Sequence, residues 1–191
     1  MQPSTKNHLM GCLDAMLFMP DAGKRFDGSY NYMLGSFVIP VLLFPLMLLS
    51  VLIAPQPEFA DKSQNFISLA YSLRFCIALA IFLGFVYFLA SRTDRADRFF
   101  SFVTAYNWLT VPTVLLSLPI ALMMTSADPV TAQQGVVLSY LLLGYSFAFT
   151  AFMAACTLRI PMELAAFVAI IALQINSSTY QLLGWVGAML S

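Results

Sequence analysis

The chain has 191 residues, 60% of them hydrophobic and 9% charged, with nine Lys and Arg against nine Asp and Glu. A soluble domain carries roughly 45–50% apolar and about 25% charged residues, so this composition excludes an ordinary water-soluble fold and reads as an integral membrane protein. The zero net charge also excludes the basic face that a nucleic-acid partner requires.

Residues 1–30 are read as a cytoplasmic amphipathic segment. Lys6 is followed by LMGCLDAMLFM, which Asp14 interrupts and which lacks a small-residue cleavage site, so removal as a signal peptide is not expected. Leu9, Met10, Leu13, Met16 and Leu17 recur at three-and-four spacing with His8 and Asp14 off that stripe. Such a pattern predicts a helix lying in the membrane interface. Pro20 and Asp21 then punctuate a second short turn before Lys24, Arg25 and Phe26.

Residues 31–191 hold long apolar runs near 32–54, 66–90, 99–124, 135–157 and 161–190. Roughly 20 helical residues cross a hydrocarbon core of about 30 Å, so each run is a span. The runs are continuously apolar rather than alternating, which excludes an outer-membrane barrel. The expected fold is all-α, a polytopic transmembrane bundle of five helices. Span one carries Pro40 and Pro45, and span three carries Pro112 and Pro119; each removes a backbone donor and predicts a kink. The last run is interrupted by Gln174, Asn176, Ser177, Ser178 and Thr179, and is read as one long or broken helix.

The basic residues orient the bundle. Lys6, Lys24, Arg25, Arg92, Arg95, Arg98 and Arg159 fall in the tail and alternate gaps, whereas the opposite gaps hold Lys62 alone. Seven against one predicts a cytoplasmic N-terminus and an external C-terminus, with a bacterial cytoplasmic (inner) membrane as the expected location.

Catalytic, cofactor and metal sites are all read as none. His8 is the single histidine and lies outside every span, which leaves haem and zinc chemistry without ligands. No span offers a serine with a His or Lys base, and no glycine-rich phosphate loop occurs. Cys12, Cys76 and Cys156 have no metal-type spacing; they read as packing residues, with palmitoylation of Cys12 as the alternative.

Four residues stand out as a candidate intramembrane polar cluster: Arg74, Asn107, Gln174 and Asn176. An arginine inside a span costs on the order of 3 kcal/mol on insertion scales, so Arg74 either snorkels to the headgroups or faces the bundle interior. Asn107, flanked by Tyr106 and Trp108, needs a partner in hydrocarbon, and Gln174 or Asn176 is the expected one. Ala80 with Gly84, Ala151 with Ala155, and Ala165 with Ala169 form small-x-x-x-small pairs that predict packing seams.

The amphipathic N-terminal segment with its DAGKRFD turn, the five-span core and TAYNWLTVP opening span three together resemble the Yip family of five-span membrane proteins, and more closely short bacterial relatives of unassigned function. The resemblance implies the same span order and topology. The acidic cytosolic region and Asp-Leu-x-Gly-Pro type motif of eukaryotic members are not seen, so GTPase binding is not carried over.

The function read from these features is non-enzymatic: an accessory or scaffold subunit of a membrane complex, or a lipid-organising protein. Its expected partners are the lipid bilayer and other membrane subunits or further copies of itself. The alternative is a small oligomeric transporter or channel with its pathway near Arg74, Asn107 and Gln174. A cavity walled by Arg74 would favour transport or lipid binding, and a dry bundle with a flat apolar face would favour the subunit.

Overall fold

The computed structural model describes residues 5–26, 28–55, 59 and 62–189, and among these there is no strand. Helix α1 (Thr5–Met16) and a 3-10 turn (Ala22–Arg25) precede the spanning helices. Helices α2 (Tyr30–Ser36) and α3 (Val38–Ile53) form the first span, followed by α4 (Gln64–Arg92), α5 (Phe99–Met124), α6 (Pro129–Leu158) and α7 (Met162–Met189). All five spans are long and apolar enough to cross a membrane. The bundle is therefore an all-α, multi-pass membrane protein.

Local chemistry fixes the ends. Ser29 and Ser63 accept from Tyr32 N and Phe66 N to start α2 and α4, and Asp128 accepts from Thr131 N to start α6, with Pro129 next to it. These are the side-chain acceptors that orphan helix donors need. The Asp128 cap also places the start of α6 six residues before Gly135, where the apolar run begins. At the other end, Arg159 adopts a left-handed conformation with φ 54°, and Pro161 prevents continuation. The first span breaks at Phe37, three residues before Pro40. The last span is one continuous helix through its polar patch.

The spans close a ring in the order α3, α5, α6, α7, α4 and back to α3. Small residues make the seams: Ala151, Ala154, Ala165 and Ala169 are all buried, and Ala154 and Ala165 share the cluster in which α6 and α7 pack together. Large side chains such as Leu69, Ile81, Leu115, Leu141 and Ile170 point outward, as lipid-facing residues do when there is no hydrophobic drive between helices. One expected seam is not used. Ala80 and Gly84 lie on the exposed side of α4, and a Cβ at Gly84 would meet nothing within 4 Å.

The N-terminal segment docks on the flank of this ring. Helix α1 buries His8, Cys12 and Ala15 and leaves Leu9, Met10, Leu13 and Leu17 exposed, so its large apolar stripe faces away from the protein. Its small and polar face meets α5 at Trp108, nine residues past Phe99 and thus about 13 Å along that helix. The segment leans on the helix flanks instead of lying across their ends. Arg25 pairs with the largely buried Asp14, and Tyr145 of α6 donates to the Met16 carbonyl at 2.7 Å. The connecting turn presses so closely on α6 that a Cβ at Gly23 would lie 2.7 Å from the Cys156 carbonyl oxygen. Only glycine fits that approach.

Cys12 has a specific task here. Pro112 has no N–H to give the Trp108 carbonyl four residues earlier, and the Cys12 thiol donates to that same carbonyl at 3.5 Å. Burial pushes the thiol up to about 12. A buried, hydrogen-bonded thiol fits the reading of Cys12 as a packing residue.

Candidate intramembrane ligand site

Arg74 faces the bundle interior. It is 6% exposed, and its Nη2 donates to Asn176 Oδ1 on α7. The guanidinium carbon lies 3.7 Å from the ring centre of Tyr180 and 5.5 Å from that of Tyr71. Helix geometry supplies both rings: Tyr71 stands three residues before Arg74 on α4, and Tyr180 stands four residues after Asn176 on α7, so each shares a face with its neighbour.

Two features of this arginine are unusual. Its Nε is buried and has no hydrogen-bond acceptor. Among the described residues no carboxylate pairs with it either; the ion pairs are Lys24 with Asp21, Arg25 with Asp14 and Arg98 with Asp97, all distant from it in sequence and outside the spans' interiors. The attraction of two aromatic faces is worth about 2 kcal/mol when desolvated. An arginine within a span costs on the order of 3 kcal/mol on insertion scales, so the two rings offset much of that penalty while leaving the charge itself without a counter-ion among the described residues.

The guanidinium lines a cavity of about 290 Å³ within the helix ring, to which all five spans contribute. Asn107 and Asn176 line it too, and so do Thr110, Thr113, Ser146 and Thr150. Most of the remaining wall is apolar, with Phe75, Leu79, Phe82 and Leu173 among its members. Arg74 lies eighteen residues from the Arg92 end of α4, whereas Asn107 lies eight residues from the Phe99 end of α5. The ten-residue difference corresponds to roughly 15 Å along the bundle. The cavity therefore has its charged pole toward one membrane face and its amide toward the other.

The four sequence candidates separate accordingly. Arg74 and Asn176 are bonded partners. Asn107, 1% exposed, donates from Nδ2 to Ser36 Oγ at 2.8 Å, and Ser36 donates on to the Met33 carbonyl at 2.7 Å. Its partner is thus α2, and the expected bond to Gln174 or Asn176 does not form. Gln174 and Asn176 are both exposed, but only Asn176 lines the cavity, and Gln174 is bonded to Ser178 one turn along its own helix. The reason is rotational: two residues on an α-helix differ by about 200°, so Gln174 and Asn176 cannot face the same wall. Ser36, Tyr71 and Tyr180 were not among the candidates, although the spacing of both tyrosines to charged or amide neighbours on one helix face was a readable signal.

As a chemical site, the cavity offers one fixed positive charge, several hydroxyl and amide groups, and an apolar floor. Among the described residues no three His, Cys, Asp or Glu side chains gather at one point. Fold and site together define a five-span helical membrane protein with a central cavity carrying a buried cation. Set against protein-family models, curated proteins and solved structures, the chain matches none.

Proposed function

We propose that this chain is a non-enzymatic membrane protein that hosts a small anionic ligand in the cavity at Arg74, acting as a carrier or binding protein of the bilayer. The observation that carries this reading is the guanidinium on the cavity wall, buried, with Nε unpaired and no carboxylate paired with it among the described residues. A buried charge persists where something compensates it, and an anion in the adjoining space does so. A bundle built only as a scaffold has no use for that cost, and its outward small-residue face, Ala80 and Gly84, is short. The resemblance to the Yip family adds no ligand to this reading.

The test is thermal unfolding of the purified protein in detergent with a panel of anions: chloride, phosphate, alkyl sulfonates, alkyl phosphates and alkyl carboxylates. A ligand that binds only the folded state at a hundred times its Kd stabilises by about 2.7 kcal/mol, a shift of several degrees. The expected result is a saturable rise for the wild type and none for Arg74→Met. If no anion of the panel gives an Arg74-dependent shift, the scaffold or lipid-organising reading returns.

The orientation belongs to the same proposal. Lys24, Arg25, Arg92, Arg95, Arg98 and Arg159 lie in the segments at one end of the bundle, which supports that end as the cytoplasmic one in a bacterial inner membrane. A reporter fused after Ser191 is then expected to read as external and one inserted near Asp94 as cytoplasmic. Both in one compartment would overturn the topology.

A further inference from the structure

Resting on the reading of the cavity as an anion site, the geometry points to the class of ligand: we infer that it is a monocarboxylate with a compact apolar body, its carboxylate on Arg74 and its body among Phe75, Leu79, Phe82 and Leu173. The charge count selects the head. Arg74 is one positive charge without a carboxylate partner among the described residues, so a monoanion leaves the site neutral. A dianion would leave a net negative charge in apolar surroundings. Donor geometry selects a planar head. Nη2 is already directed at Asn176 and Nε is sealed off by burial, so the N–H pair left for a ligand is at the Nη1–Nη2 end, a fixed fork that matches the two oxygens of a carboxylate. Tyr180 covers a face of the guanidinium at 3.7 Å, which directs the ligand to the edge.

Size and wall chemistry select the body. A share of about 30 Å³ per water molecule gives the 290 Å³ cavity room for roughly ten waters, which bounds the part of a ligand that lies inside this partly open space. It lies at the lower limit of the range of ordinary small-molecule sites, about 300–1,000 Å³. The far pole adds no second charge, because Asn107 is neutral and its amide N–H is engaged with Ser36. A ligand with one anionic end and an apolar remainder therefore meets Arg74 at its head and Phe75, Leu79, Phe82 and Leu173 along its body.

The experiment is isothermal titration of the full chain in detergent micelles with decanoate, decyl phosphate, decanol, acetate and palmitate, each repeated with Arg74→Met in the same micelle to subtract partitioning. Decanoate is expected to bind saturably at one site per chain, with at least tenfold weaker binding in Arg74→Met. Arg74→Lys, which keeps the charge and loses the fork, is expected to fall between the two and covers the case in which Arg74→Met does not fold. Decanol and acetate are each expected to bind at least tenfold more weakly than decanoate. Palmitate binding tighter than decanoate would support the carboxylate and identify the bilayer as its source; decanoate binding tighter would identify the aqueous phase. Arg74-dependent binding that is tighter for decyl phosphate than for every carboxylate overturns the inference while leaving the anion site standing. Absence of Arg74-dependent binding by any of the five probes overturns the inference, and the anion panel then decides whether the site falls with it.

Discussion

Two polar regions share this apolar bundle, and they are built to opposite rules. Around α1, α2 and the first half of α5 every highlighted donor closes on an acceptor: Asn107 on Ser36, Ser36 on the Met33 carbonyl, Cys12 on the carbonyl that Pro112 leaves unpaired, and Tyr145 on the Met16 carbonyl. Around α4 and α7 the network stays open. Arg74 is held by the Asn176 amide and by Tyr71 and Tyr180, and its Nε has no acceptor. A closed network in a low-dielectric interior specifies a packing, while an open one is a cost the fold tolerates for another reason. The difference separates what holds the protein together from what the protein holds.

The comparison is broken most directly at Arg74. If its buried charge is retained for a ligand, then Arg74→Met, which keeps an apolar stem of similar reach, removes a desolvation penalty and is expected to raise the thermal stability of the ligand-free protein. Replacing a whole buried ion pair or triad with apolar groups is often neutral or stabilising by about 1–4 kcal/mol; Arg74→Met leaves behind only the neutral amide of Asn176, and gains at functional positions are a recurring trade-off. Thermal unfolding in detergent without added anion checks this. A clear loss of stability would mean that the contacts with Asn176, Tyr71 and Tyr180 hold the bundle, and Arg74 would move to the structural group.

The pattern of spans was legible because apolar runs of membrane length leave little choice of fold, and the basic gaps between them were as plain. The N-terminal helix was harder. Its stripe of Leu9, Met10, Leu13 and Leu17 correctly marks an amphipathic helix, but in a membrane protein the large apolar face meets lipid and the small face, here Gly11, Cys12 and Ala15, meets protein. Reading the stripe alone gives the helix without its dock. The candidate site was legible by residue type and only partly by partner. Arg74 with Asn176 follows from two polar residues needing each other across a bundle. Asn107 with Ser36 does not, because a serine beside Gly35 in a short apolar helix carries no mark of a tertiary bond. Gln174 was separable from Asn176 by helix rotation alone, since 200° divides them.

The closed region makes a smaller, opposite prediction. Asn107 and Ser36 are 2.8 Å apart and both are buried, so each of Asn107→Leu and Ser36→Ala is expected to destabilise the protein, by about 1 kcal/mol each. The double variant should cost less than the sum, because either substitution alone already removes the shared bond. Hydrogen bonds between membrane helices average about 0.6 kcal/mol in such cycles, which sets the coupling to look for and the precision the unfolding assay must reach. Asn107→Leu combined with Asn176→Leu should instead be additive, since those amides have different partners and lie at different depths. Coupling in the second cycle and none in the first would join the two regions into one network. Arg74 would then be held by a chain of bonds running to α2, and its unsatisfied edge would lose its meaning as an open site.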